Sequence, residues 1–200
     1  MLAFDHIAVT AATTEAGAAH VARLLGHAPG PGGRHALMGT HNRLLGLGPG
    51  EYLEAIAIDP DAPPPGRPRW FDLDRRAGPP RLAGWVARTH DLDAVLARVP
   101  QAGRALDFAR GDLRWRMAVP DDGALPFDGC FPAIIEWRSA PPAFPDAGLR
   151  LTALELRHPE AETLAEVLAS LIGDPRIRVE AGEPGLEARV ATPQGERRLA

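Results

Sequence analysis

Lysine is absent from this chain and cysteine occurs once. Without lysine there is no amine to form a Schiff base with a carbonyl substrate or a pyridoxal cofactor. A lone thiol, Cys130, supplies neither a disulfide framework nor a paired-cysteine motif, which fits a reducing compartment, so the cytoplasm is the expected location. No apolar run approaches the ~20 residues that a spanning helix needs. Asp5 and His6 stand where a signal peptide would place its apolar region. The basic residues are all arginine, scattered under a net charge of −4, and leave no basic stripe for a phosphate backbone. Neither a membrane nor a nucleic acid is therefore an expected partner. A Gly-x-Ser-x-Gly elbow and a Gly-rich phosphate loop are also missing. No organic cofactor is expected.

What is present is an ordinary globular composition: 200 residues, 45% of them hydrophobic, enough for one domain or two fused modules. The run Phe4-Asp5-His6-Ile7-Ala8-Val9-Thr10 reads as a strand, with His6 and Ala8 on one face and Ile7 and Val9 on the other. Thr13 and Thr14 offer caps for a short helix that Gly26 stops. Pro29 to Gly33 reads as a loop, because successive Pro and Gly support neither helix nor ladder. Gly39 to Leu47 and Glu51 to Ile58 read as a hairpin, with Tyr52, Glu54, Ile56 and Ile58 on one face of its second strand. A carboxylate amid those apolar neighbours must be paired, metal-bound or wet, since burying it alone costs several kcal/mol.

The proline-rich stretch 63–80 is the best internal boundary. Beyond it the pattern restarts: a strand from Leu82 to Thr89, a short helix capped by Asp91, a strand from Leu113 to Val119 and a closing strand from Ala133 to Arg138. Arg114 and Arg116 share one face of their strand, against Trp115, Met117 and Val119; Trp115 and Trp137 are expected in the core on the helix-facing side. Strand, helix, strands and a closing strand with a central glutamate thus occur twice, about 80 residues apart. The expected organisation is a single domain over 1–200, with a first module at 1–62, the linker, a second module at 81–140 and a partial third unit at 141–200, in which the chain ends about where a closing strand would begin.

A βαβββ unit occurring twice, with His opening the first strand and Glu in the closing strands, resembles the vicinal-oxygen-chelate superfamily, and within it the glyoxalase-like domain proteins. Local matches are Asp5-His6-Ile7-Ala8-Val9, Gly32-Gly33-Arg34-His35, Gly39-Thr40-His41-Asn42-Arg43-Leu44, Tyr52-Leu53-Glu54, Arg67-Pro68-Arg69-Trp70-Phe71, Arg110-Gly111 with Leu113-Arg114-Trp115-Arg116, and Ile135-Glu136-Trp137. The resemblance implies an α+β fold in which tandem βαβββ modules curl their mixed sheets into a cup that holds a small molecule. It further implies a divalent metal (Zn, Mn, Fe or Ni) on His6, Glu54 and Glu136. The third ligand of metal-using members has no match, because Gly84 or Trp85 falls at its place.

Two function classes follow. In the first, a metal-dependent lyase or isomerase chelates an oxygen-rich or carboxylate-bearing substrate and stabilises an enolate or oxyanion, with Glu54, Glu136 and His41 as candidate catalytic groups. In the second, the cup holds an anionic small molecule without turnover, through Arg43, Arg114 and Arg116. His35, beside a Gly-containing turn, and Trp70 complete the expected substrate contacts; Trp70 and Phe71 would equally plug the seam between modules. A homodimer is the remaining expected partner, through the partial third unit.

Overall fold

The computed structural model describes residues 1–200. The first module runs β1 (Ala3–Thr10), α1 (Thr14–Leu25), β2 (Gly30–His35), β3 (Thr40–Gly48) and β4 (Glu51–Ile58). The second runs β5 (Arg81–Arg88), α2 (Leu92–Arg98), β6 (Arg104–Arg110), β7 (Leu113–Val119) and β8 (Ala133–Trp137). Local chemistry sets the ends of both helices. Thr13 Oγ1 accepts from the N–H of Ala16 and Gly26 closes α1 at φ 74°, while Asp91 caps α2 through the N–H of Ala94.

All eight strands form one curled sheet in the order β2-β3-β4-β1-β5-β8-β7-β6. In each module the closing strand lies parallel to the opening one, β4 beside β1 and β8 beside β5, and the modules join where β1 and β5 pair antiparallel. This is the α+β fold of tandem βαβββ modules. No helix is long and apolar enough to cross a membrane.

Two outer strands differ from the sequence reading. Pro29 to Gly33 does not stay a loop: Gly30–His35 forms an edge strand, antiparallel to β3, with a register shift between Pro31 and Arg34. A proline is tolerated there because an edge strand has one side free of ladder bonds. Strand β6 carries too many charges for alternation to reveal, and it is the opposite edge of the same sheet.

The sheet has an apolar cluster on each side. On the convex side, Ile7, Val9, Leu53, Trp85 and Ile134 pack under α1 and α2 and against the third unit. That unit comprises β9 (Arg150–His158), α3 (Ala161–Leu171), β10 (Ile177–Ala181), β11 (Gly185–Thr192) and β12 (Gly195–Leu199), and forms its own sheet in the order β10-β9-β11-β12. The parallel neighbour of β9 is the strand that follows its helix, not the last strand, so the modular topology is not repeated. On the concave side, Ala8, Ile56, Trp70, Phe71, Phe108, Trp115 and Ile135 form the second cluster.

Two tight turns, one in the linker and one in the second module, hold a Phe-Asp pair in the left-handed region: Phe71 and Asp72 at φ 54° and 55°, Phe127 and Asp128 at φ 54° and 52°. Non-glycine residues seldom adopt that conformation, and phenylalanine gains nothing local from it.

Candidate functional site

The floor of the cup depends on one irregularity in β1. The register with β5 shifts between Phe4 and His6, so Asp5 is an extra residue. Phe4 and Ile7 both reach the convex cluster. Asp5 and His6, although adjacent in sequence, therefore both stand on the concave side. Asp5 Oδ1 lies 2.6 Å from His6 Nδ1, and Asp5 Oδ2 accepts from Trp137 Nε1 at 3.0 Å. The Tyr52 ring stacks on the imidazole, 4.2 Å between centroids.

Across the ring, His6 Nε2 is 3.5 Å from Glu54 Oε1. Glu54 is buried, and the partner its burial requires proves to be His6 together with Asn42, whose Nδ2 donates to Oε2 at 2.8 Å. The hairpin register puts Leu44 opposite Glu54 and Asn42 opposite Ile56, so all four share the concave face. Asn42 Oδ1 in turn accepts from the Gly33 N–H at 3.0 Å and from Arg110 Nη1 at 3.3 Å. Arg110 also donates to His35 Nε2 at 3.3 Å. Since a guanidinium can only donate, Nε2 of His35 is the acceptor and its Nδ1–H is directed to Thr40 Oγ1 at 3.0 Å. The Trp70 indole donates to the same hydroxyl.

Two buried imidazoles are thus held in opposite charge states. Burial pushes His6 down, but the Asp5 and Glu54 carboxylates outweigh it and raise the ring to about 9. Burial also dominates at His35, and Arg110 adds to it against the pull of Glu54, leaving that ring at about 4. Burial acts to raise Glu54, yet the His6 imidazolium and the Asn42 amide hold it below the usual carboxylate value. Near neutral pH the site is therefore an imidazolium between two carboxylates, beside a neutral histidine and a guanidinium. His6, Glu54, His35 and Arg110 line a narrow cavity of about 30 Å³, walled by Leu44, Trp115, Met117 and Trp137, with Asp5 behind the His6 ring.

The structure brings together His6, Glu54, His35 and Trp70 at this cavity. It does not bring Glu136, Arg114, Arg116, Arg43 or His41 to it. Glu136 follows Ile134 onto the convex side, where Arg116 and Arg138 hold it at 3.4 Å and 3.1 Å. Arg116 also takes Asp93 of α2, and Arg114 donates to the carbonyls of Gly111 and Leu113. Arg43 pairs with Glu15 of α1, and His41 shares its strand face. Trp115 and Trp137, expected under the helices, instead line the cavity. The alternation in these strands was legible, but which side faced inward was not. Helix α2 has only seven residues and offers Asp93 rather than an apolar stripe to this part of the sheet, so the arginines turn outward and the aromatics inward.

A divalent metal does not fit the donors present. No three His, Cys, Asp or Glu side chains converge as a ligand set, and Glu136 faces away. At Gly84, a Cβ would meet Leu125 Cδ1 at 3.0 Å and Phe71 Cδ1 at 3.1 Å, so apolar side chains occupy the place of the unmatched ligand.

The family model described as glyoxalase-like domain matches residues 4–172. The chain belongs to this family. Through it, this glyoxalase-like domain is a member of the vicinal-oxygen-chelate superfamily. No curated protein sequence matches it. Among solved structures, a hypothetical protein from Staphylococcus aureus is 13% identical with a TM-score of 0.59, covering 92% of this chain and 87% of that one. A methylmalonyl-CoA epimerase from Mycobacterium tuberculosis is 21% identical with a TM-score of 0.45, covering 70% of this chain and 89% of its own. A hypothetical protein from Bacillus halodurans is 11% identical with a TM-score of 0.46, covering 72% and 99%.

Sequence reasoning missed Asp5, Asn42, Tyr52 and Arg110 in this glyoxalase-like domain. Asn42 and Tyr52 were recoverable, because the tight turn at Gly48-Pro49-Gly50 limits the hairpin register that sets them beside Glu54. Asp5 was hidden by the bulge, and Arg110 by long-range closure of the sheet.

Proposed function

We propose that this glyoxalase-like domain is a metal-independent acid–base enzyme that moves a proton at the carbon next to a carbonyl or carboxyl group of a small anionic molecule. The supporting observation is the His6 imidazolium, held by two buried carboxylates and open to a cavity beside Arg110.

Glu54 is the base: its carboxylate stays ionised, and Asn42 fixes its orientation. His6 is the electrophile. At 3.5 Å its contact with Glu54 is loose enough for an incoming oxygen to take the Nε2–H, so the charge that develops there meets a preformed donor. Asp5 keeps the ring protonated and oriented. Arg110, which is hydrogen-bonded to His35 and Asn42 and to no carboxylate, anchors the anionic group. The coupled removal and return of a proton is isomerase or lyase chemistry according to what leaves. The narrowness of the cavity favours a second reading, a protein that holds the same anion without turnover.

Solvent-deuterium exchange into a panel of small 2-oxo acids and 2-substituted carboxylates, followed by proton NMR, separates the two. Exchange catalysed by the wild type and reduced on the order of 100-fold or more in Glu54→Gln supports the enzyme. Binding with no exchange across the panel, or exchange at an equal rate in Glu54→Gln, rejects it.

A further inference from the structure

A second cavity, of about 260 Å³, lies between the second module and the third unit, bordered by the two left-handed turns and by Leu82, Leu125 and Leu186. One residue lines both this cleft and the cavity at His6 and Glu54: Phe71. Its ring, with the Leu125 methyl, covers the bare Cα of Gly84 and separates the two spaces. At about 30 Å³ the inner cavity is too small for a substrate, whereas the two spaces joined approach the ~300 Å³ at which small-molecule sites begin. The partition is itself strained, since Phe71 and Asp72 are held at positive φ. Backbone strain of that kind persists only where surrounding structure imposes it, and it concentrates at sites that close on ligands.

The charges of the cleft indicate what enters. Asp72 is paired with Arg75 at 2.7 Å. Asp128 accepts from His158 Nε2 at 3.2 Å, because His158 Nδ1 is already the acceptor for the Glu160 N–H. Arg81, exposed at the edge of the cleft, makes no ion pair. A guanidinium without a carboxylate thus stands on each side of Phe71, Arg110 within and Arg81 without, and Phe71, Leu82, Leu125 and Leu186 supply apolar surface to the cleft.

We propose that the cleft is the outer half of a two-ended substrate site, that Phe71 is the movable partition between the halves, and that the ligand is a short, apolar-bodied molecule bearing an anion at each end. The inner end rests on the acid–base reading given above; the outer end is new. Phe71 swings from its strained position as the body passes, and Arg81 takes the second anion.

Adipate and hexanoate serve as matched probes, followed by calorimetry and by stopped-flow fluorescence of Trp70, whose ring lies 6.0 Å from that of Phe71. Adipate should bind about tenfold or more tightly than hexanoate, as a charge-assisted contact warrants. Arg81→Ala, an exposed change that leaves the fold intact, should abolish the difference and leave hexanoate unchanged. Phe71→Gly, which suits the positive φ, should speed association of both probes. Equal affinity for the two probes, binding of neither, or full adipate affinity in Arg81→Ala overturns the proposal. Two-ended binding without deuterium exchange would sustain the site and reject the catalytic reading; exchange indifferent to Phe71 and Arg81 would do the reverse.

Discussion

The side chain of Arg110, on one edge strand of the eight-stranded sheet, lies across the bare Cα of Gly33 on the other: a Cβ at Gly33 would stand 2.4 Å from Arg110 Cδ. That approach lets one guanidinium reach both His35 and Asn42 from the far side of the cup. Gly33→Ala should therefore act on Arg110 at a distance from the acid–base groups. Each lost hydrogen bond is worth about 1 kcal/mol, so the melting temperature should fall by a few degrees while affinity for small carboxylates drops about tenfold. Calorimetric titration with a carboxylate checks this, and unchanged affinity would remove Arg110 from the anion site.

Stability should peak near neutral pH and fall on both sides. His6 is raised from 6.5 to about 9 by folding, so its contribution is complete below 6.5 and is lost as pH rises through 9. His35 is lowered from 6.5 to about 4, so its contribution is present above 6.5 and fades as pH falls towards 4. Glu54, held below its ordinary value, adds to the loss on the acid side. Denaturant midpoints from pH 4 to 10 read the curve, with a few kcal/mol between summit and flanks. A flat alkaline limb in the wild type would contradict the imidazolium assignment.

Asn42→Asp should be the most informative small change. It replaces an amide donor, 2.8 Å from Glu54, with a second carboxylate in a buried place. Like charges so close resist joint ionisation, so one of the pair should keep its proton to higher pH. The loss of stability, roughly 3 kcal/mol for an uncompensated buried charge, should be larger at pH 8 than at pH 5.5. Equal losses at the two pH values would mean that Arg110 neutralises the new group.

Glu136→Ala tests the outward placement. Arg116 would keep its two bonds to Asp93, so the cost should be about 1 kcal/mol and any exchange activity should stay within about twofold of wild type. A loss on the scale of Glu54→Gln would mean that Glu136 reaches the cup in solution.

The modular repeat, its helices and the face of β4 that carries Glu54 were legible because they rest on local signals: caps at Thr13 and Asp91, a glycine stop, and alternation within a strand. The site was legible only in part. His6, Glu54, His35 and Trp70 could be named from strand position and motif, but Glu136 and Trp137 exchanged sides, because alternation gives two faces without saying which is inside. That choice is made by what covers the sheet, here a two-turn helix with a charged end. Strand β2 was concealed by prolines acceptable only at an edge, and a single chain does not announce its edges.

The extra residue in β1 has a further consequence for the energetics of the site. Asp5 and His6 are covalent neighbours, so their encounter does not depend on the fold in the way that the encounter of His6 with Glu54 does. Part of the attraction between acid and ring survives in the denatured chain and cancels from any folded-minus-unfolded difference. Titration of the unfolded polypeptide would then find this histidine already more basic than its isolated counterpart. The alkaline loss of stability accordingly contains the whole effect of the distant glutamate, which only folding can deliver, but only part of the effect of Asp5.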